Sequence, residues 1–305
     1  MSSENINDDL DKKIASIINK YKAKDVKPVI KTLVLSGGGI KGIALVGALK
    51  CLEEQNMLCN ITKIVGTSVG GLIAGLFCIG YTPDELIKFI DLFDLKNLKS
   101  LKPSDFFTKF GLDDGSRLTF VLEKMIEAKN LSKNITFNEL YKLTKKHLIV
   151  TTVCLNDEHA YYLSHITHPQ MPIIMGMRMT SALPLWFIPI SYDKKLYVDG
   201  GCIDNYPIQL FEKELHTTLG IYLANSKQYT KNILNTEDFL FRLLSCCLEG
   251  VTCNSIKGFE KCTVKISVPR VSFMDLDIDS SFKMKLYDSG YQTLSNYIKN
   301  KQNIT

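Results

Sequence analysis

Apolar and polar positions along the chain alternate between two rhythms. Short apolar runs of about four to eight residues suit strands buried on both faces. They occur at Lys31 to Leu35, Ile61 to Val65, His147 to Cys154, Lys195 to Val198, His216 to Leu223 and Cys262 to Val268. Between several of them, apolar residues recur at helical spacing. Ile40 to Asn56 carries Leu45, Leu49 and Leu52 along one side, and Val69 to Gly80 is apolar and small all round, which suits a helix pressed against a sheet. Thr82-Pro83-Asp84-Glu85 opens a further helix, with Thr82 as N-cap and Pro83 in its first position. Phe282 to Ile298 reads as a closing helix. Strands alternating with helices predict an α/β sandwich around a largely parallel sheet.

Three stretches depart from this rhythm. Residues 1–29 form a polar lead in which Leu10, Ile14, Ile17, Ile18 and Tyr21 share one helical face, and this reads as a helix resting on the body. Residues 95–147 are Lys-rich with helical spacing and turn signals at Lys102-Pro103-Ser104 and Asp113-Asp114-Gly115. They are expected as a helical cap inserted into a catalytic domain spanning 30–225. Residues 226–305 are expected to complete that domain with a strand and helices, although 224–260 show little pattern. The run Phe239 to Leu248 within them reads as a buried helix.

Composition narrows the function classes. A chain of 305 residues can bury a full core as one large domain. A net charge of +5, carried almost wholly by Lys, is mild. It is compatible with an anionic membrane surface, but it lacks the dense basic stripe of a nucleic-acid binder. The nine cysteines are odd in number and show no paired spacing suited to zinc, so reduced thiols are expected. No run approaches the roughly 20 apolar residues of a membrane span, and the polar N-terminus shows no secretory signal. The expectation is an intracellular, cytoplasmic protein that meets membranes only peripherally.

Candidate chemistry sits at three strand ends. Leu33-Val34-Leu35 runs into Ser36-Gly37-Gly38-Gly39-Ile40-Lys41-Gly42, Ile64-Val65 into Gly66-Thr67-Ser68-Val69-Gly70, and Leu196-Tyr197-Val198 into Asp199-Gly200-Gly201. A serine hydroxyl needs a neighbouring base before it can attack. Gly-x-Ser-x-Gly between strand and helix fits a nucleophile elbow, and equally a tight turn in which Ser68 merely N-caps the helix. The first loop matches the spacing G-x-G-x-x-G. The acidic residue a dinucleotide fold needs after the next strand is missing, and no Gly-Lys-Ser/Thr follows. The same exposed N–H groups and helix dipole serve an oxyanion. For the base, His147, His159, His165, His168 and His216 all lack a glycine-flanked strand-end loop, and the stretch 159–168 reads as surface. Asp199 has such a loop, and a carboxylate acts as a base when desolvation raises its pKa.

These three motifs, in this order and spacing, resemble those of the patatin-like phospholipase family. A fourth stretch agrees: Arg178 to Pro189 is similar to that family's Arg-x-Ser/Thr-x-Ala-x-Pro segment with a following Phe and Pro. The resemblance covers about residues 31 to 210. It implies a three-layer α/β/α sandwich, a Ser-Asp dyad without histidine, and hydrolysis of lipid acyl esters, typically of phospholipids, with no metal or cofactor in the chemical step. Carried over, Ser68 is the nucleophile and Asp199 the base. Gly37, Gly38, Gly39, Lys41 and Gly42 form the oxyanion loop, with the N–H groups of Gly38 and Gly39 as donors. Gly66, Gly70, Gly200 and Gly201 support the turns. Ser36 stands where the family often has Asp, and Lys41 where it often has Arg, which keeps the charge but loses the planar fork.

The expected activity is therefore acyl-lipid hydrolysis at a membrane surface, with any activator unidentified. Three alternatives stay open: a Ser-His-Asp esterase using His216, a catalytically silent lipid-binding effector, and a nucleotide-binding protein.

Overall fold

The structure is a computed structural model that describes residues 11–17, 29–225, 233, 236–269 and 276–302. Its centre is a sheet of eight strands: β1 (Thr32–Leu35), β2 (Lys63–Thr67), β4 (His147–Cys154), β5 (His159–Ser164), β7 (Ile190–Tyr192), β8 (Lys195–Asp199), β9 (Thr218–Asn225) and β10 (Thr263–Val268). A two-stranded piece pairs β3 (Gly111–Asp113) with β6 (Leu185–Phe187). The order is β10-β9-β1-β2-β4-β8-β7, with β5 also on β4. The run from β10 to β4 is parallel, and β5, β7 and β8 add antiparallel pairings at one end.

Both faces of the parallel strands are buried, as their near-continuous apolar character requires. Leu33, Leu35, Ile64, Leu148, Val150, Ile221 and Ile266 point into the larger core, under the helices Ile43–Glu54, Val69–Cys78, Pro83–Leu92, Ile173–Thr180 and Ser280–Gln302. The alternate residues Val34, Val65, Ile149, Tyr222 and Ala224 point the other way, against Tyr206, Ile208 and Phe211. That second cover is a kinked 3-10 segment, Ile208–Thr217, thinner than a full helical layer. The capping box foreseen at Thr82 is present, with Thr82 and Glu85 bonded reciprocally.

Four readings from sequence change. The loop Gly39–Gly42 is a separate 3-10 turn, so the following helix begins at Ile43. The stretch 159–168 is not surface loop: His159–Ser164 is a strand on β4, with Leu163 and Ser164 buried, and His165 stacks on Tyr141 at 3.7 Å between ring centroids. Within 224–260 lies a long helix, Thr236–Ser255. It is only partly buried: Phe239 and Leu243 are exposed, whereas Leu244 and Leu248 pack on Trp186 and its neighbours. In the polar lead, residues 11–17 are helical with Ile14 and Ile17 facing solvent, so their side chains do not pack on the body. Leu10, Ile18 and Tyr21 lie outside the described residues.

The nine cysteines are all free thiols, and Cys51, Cys78, Cys154 and Cys262 are buried.

The closing helix is integral to the core. Leu286 and Leu294 are fully buried, and the helix crosses Ile43–Glu54 at glycines: a Cβ on Gly290 would strike the Ala44 carbonyl, and one on Gly47 the Tyr287 carbonyl. Backbone atoms cannot move aside as flexible side chains do. Gly290→Val is expected to destabilise the fold by about 2–3 kcal/mol, measured as a lowered midpoint in urea unfolding.

Candidate active site

The site forms where two strands meet end to end along β4. Going up β4, β2 pairs with residues 147–151, and Thr67 lies opposite Thr151. The next position, Thr152, is opposite Asp199 at the end of β8. The other edge of β4 is held by β5 over residues 149–154, so β8 occupies the edge that β2 vacates. Ser68, one residue past Thr67, and Asp199 therefore emerge at the same junction.

Ser68 sits in the turn from β2 into the helix Val69–Cys78 with φ 55° and ψ −127°. Positive φ is unfavourable for a residue with a Cβ and is the signature of a nucleophile elbow. Its side chain makes no capping hydrogen bond, which removes the N-cap reading. The flanking glycines allow the close passage: a Cβ on Gly66 would collide with the Gly70 carbonyl, and one on Gly70 with the Leu35 carbonyl. The Ser68 N–H donates to Thr180 Oγ1 at 2.8 Å, which holds the turn from outside.

The Ser68 hydroxyl lies close enough to the Asp199 carboxylate to favour its charged form. Asp199 is buried, and its backbone N–H donates to the Ala182 carbonyl at 2.9 Å. Asp199 Oδ1 also accepts the Gly201 N–H at 2.8 Å. Burial pushes its pKa up from the ordinary 3.8 to about 7, against the opposing pull of the nearby Ser68 hydroxyl and the Gly201 N–H. Thr180 and Ala182 thus let one segment grip both halves of the dyad. Arg178, three residues before Ser181, is buried, donates to Ser181 Oγ at 3.3 Å and lies 5.1 Å from the Phe187 ring centroid. Burial lowers its pKa to about 10, opposed by Asp113 and Asp114.

The glycine loop runs alongside. Gly37 passes so near that an added Cβ would lie 3.1 Å from Ser68 Cβ. Its N–H donates to the Asn205 carbonyl at 3.1 Å, and the Lys41 N–H to the Gly38 carbonyl at 3.3 Å. Gly38 and Gly39 precede and open the 3-10 turn, where N–H groups have no acceptor within a helix. They are the loop's two candidate oxyanion donors. Gly39 has φ 56°, which glycine adopts without strain. Gly42 serves packing, since any Cβ there would meet Val69. Gly200 is equally constrained, by the Thr151 carbonyl at 2.5 Å from an added Cβ, and Gly201 lies beside the Asn205 amide.

Lys41 is buried, not solvated, and its Nζ donates to Asn225 Oδ1 at 2.9 Å. Asn225 Nδ2 passes the contact to Glu249 Oε2 at 2.8 Å. Asn205 Nδ2 donates to Thr252 Oγ1 at 3.1 Å. Two amides therefore tie the helix Thr236–Ser255 to the catalytic loops. Ser36, in place of the family's frequent Asp, accepts the Leu223 N–H on its Oγ at 2.9 Å, and so anchors the loop to β9. The sequence reading missed the roles of Thr180, Asn205, Asn225 and Glu249. Two of them carried a local signal: Thr180 fills the Ser/Thr position of the Arg178 to Pro189 segment, and Asn205 is a polar residue closing the turn that begins at Asp199-Gly200-Gly201.

Ser68 and Asp199 open into a cavity of about 1150 Å3. Its walls are apolar: Leu72 and Leu76 from the helix behind Ser68, Phe89 and Phe93, Leu118 and Met125, and Trp186 with Phe187. Leu95, Leu98, Leu118, Val121, Leu122 and Met125 all come from the segment 95–147. None of the five histidines lines it. His216 is exposed and lies just before β9 begins, at the opposite end of the sheet from Ser68, so no Ser-His-Asp triad is assembled. Thr67 Oγ1 donates to the Asp204 carbonyl at 3.0 Å, and Asp204 accepts from Tyr162 at 2.7 Å, which ties the dyad's turn to β5.

A family model described as patatin-like phospholipase matches residues 33–211. The chain is 32% identical over 285 residues to an uncharacterized protein of Acanthamoeba polyphaga mimivirus, covering 88% of this chain and 94% of that one. It is 33% identical over 263 residues to a protein of Invertebrate iridescent virus 6 named probable lipid hydrolase 463L, covering 77% of this chain and 88% of the relative. Among solved structures, VipD from Legionella pneumophila superposes with a TM-score of 0.60 at 17% identity, over 90% of this chain and 67% of that one. At that identity the likeness is one of fold.

The buried carboxylate sets a stability test. Its folded pKa of about 7 lies above the ordinary 3.8, so its contribution is fully present below about pH 4 and is lost as pH rises through 7. Asn cannot ionise, yet its amide oxygen can still accept the Gly201 N–H. Asp199→Asn is expected to melt above the wild type at pH 8, with the gap shrinking at pH 5, in paired thermal unfolding scans.

Proposed function

The chain belongs to the patatin-like phospholipase family, and from that premise we propose that it cleaves the carboxylic esters of phospholipids through a Ser68–Asp199 dyad and an acyl-enzyme. Family membership makes it a phospholipase-type hydrolase. The observation that carries the finer reading is the meeting of Ser68 and the buried, raised-pKa carboxylate of Asp199 at one strand junction opening on a largely apolar cavity.

In this reading Ser68 Oγ attacks the ester carbonyl carbon as its proton passes to Asp199. A pKa near 7 suits Asp199 to both halves of the exchange: it takes a proton readily and returns it readily. The oxyanion is met by the Gly38 and Gly39 N–H groups and by the positive end of the helix that starts at Ile43. Collapse breaks the ester bond, and the leaving alcohol takes the proton from Asp199. Water then attacks the acyl-serine, gives its proton to Asp199, and Ser68 regains it as the fatty acid departs. The apolar walls hold the acyl chain and exclude bulk water, which strengthens each polar contact at the dyad. The acyl-lipid substrate makes a membrane surface the natural partner. No helix among the described residues is long and apolar enough to cross one.

Two lines of experiment test this, one at the serine and one at its base. A fluorophosphonate probe is expected to label Ser68, located by mass spectrometry, and labelling should vanish in Asp199→Asn. Ester turnover should fall by about a thousandfold or more in Ser68→Ala. Absent labelling with vesicles present would favour the silent lipid-binding alternative. The second is a pH profile: kcat/KM should rise with slope one up to about pH 7 and level off above it, because only the ionised Asp199 accepts the serine proton. A profile flat between pH 5 and 9 would remove Asp199 as the base.

A further inference from the structure

Outside the dyad, the described residues carry a group of large apolar side chains turned out to water over a few positions. Leu101 is 48% exposed, Phe107 87% and Phe110 61%. All three lie on the excursion 101–110, which includes the short helix Asp105–Lys109. Singly exposed apolar residues are ordinary, but a contiguous set marks an interaction surface. Phe110 adds a second observation. It caps the short helix with φ 67°, in the left-handed region that a bulky side chain avoids, and its ring is nonetheless exposed.

The base of the excursion is fixed. The Lys102 N–H donates to the Leu112 carbonyl at 2.6 Å, Leu101 bridges Asp113, and Arg117 Nη1 donates to the Lys99 carbonyl at 2.6 Å. β3 then pairs with β6, whose Trp186 and Phe187 line the catalytic cavity, as do Leu98 and Lys99 just before the excursion. The exposed rings thus stand on a braced support that continues at both ends into the cavity wall.

Charge identifies the occupant. Residues 96–117 hold Lys96, Lys99, Lys102, Lys109 and Arg117 against Asp105, Asp113 and Asp114. Asp113 is fully buried and spent on the Ser100 and Gly115 N–H groups. Lys102–Asp114 and Lys109–Asp105 are exposed pairs at 2.8 and 3.1 Å, worth little in water and readily exchanged for a denser anionic surface. Lys96 forms a further exposed pair, with Asp277 at 2.7 Å, and aromatic side chains flanked along the chain by lysines suit the headgroup layer of a bilayer.

We propose that the excursion 101–110 is the membrane-docking element of this protein. It inserts Phe107 and Phe110 into an anionic bilayer so that the cavity mouth faces the lipid. This rests on the lipid-hydrolase reading only for its purpose, since docking itself needs no chemistry.

The test uses the full chain as Ser68→Ala, so that vesicles survive, sedimented with phosphatidylcholine vesicles with and without phosphatidylserine. Binding should require phosphatidylserine and weaken with salt. Phe107→Ser with Phe110→Gly should reduce it at least about tenfold, while melting temperature, and turnover of a soluble ester in the Ser68 background, stay unchanged. Phe110→Gly suits the positive φ, so lost binding cannot be blamed on a broken loop. The emission of a Phe107→Trp variant should shift to the blue on adding vesicles by more than that of the parent, whose single tryptophan is the cavity-lining Trp186. Unchanged binding by the double variant, or an emission from Phe107→Trp that shifts no more than the parent's, overturns the proposal. So does a double variant that loses only self-association in sedimentation velocity, which would make this face an interface between copies. Vesicle binding through the two rings without any ester turnover by the wild type would leave docking standing and overturn the enzymatic reading instead.

Discussion

The whole candidate site depends on how one strand is shared. The lower part of β4 belongs to β2 and its upper part to β8, on the same edge, with a one-residue handover between Thr151 and Thr152. β2 approaches in parallel and β8 in antiparallel sense, so their C-terminal ends face each other. Two residues 131 positions apart in sequence (Ser68 and Asp199) are brought together by hydrogen-bond register, before any side chain is considered. Backbone ladders cannot slip by one residue without turning every side chain to the wrong face. The spacing of the dyad is therefore as rigid as the core.

Rigidity is needed because both residues sit where a chain left to itself would not put them. Ser68 holds a positive φ and Asp199 holds a carboxylate out of water. Each departure is sustained by groups that do no chemistry: Thr180 on the Ser68 N–H, the Ala182 carbonyl on the Asp199 N–H, and Thr152 Oγ1 on the Val198 carbonyl at 2.7 Å. Strain at a functional site persists only where the surroundings over-determine it. Here the surroundings are the junction of the parallel strands with antiparallel β8 and a helix end laid across it.

The fold was legible where local pattern and tertiary burial agree. Strands such as Leu148-Ile149-Val150 are apolar on both faces and announce themselves, and glycine turns at their ends mark where side chains must come close. His159–Ser164 was missed because a strand that adds to a sheet's edge keeps polar residues on its open side. The helix Thr236–Ser255 was obscured because it is half-exposed and mixes cysteines, charges and phenylalanines without a clean stripe. In the site, Ser68, Asp199 and the glycine loop were visible as residue types in strand-end positions. Asn225 and Glu249 were not, because each acts through a partner tens of residues away, and no local spacing encodes that.

The cavity draws its walls and its candidate reacting groups from different lengths of chain. Strand ends supply Ser68, Asp199 and the glycine loop, while Leu95, Leu98, Leu122 and Met125 reach in from an excursion between β2 and β4. A lineage carrying this scaffold can therefore lengthen, shorten or reshape that excursion and acquire taste for a different acyl chain, while the reacting groups stay where the sheet put them. Diversification of diet and conservation of chemistry become separable inheritances, written in separate stretches of one gene.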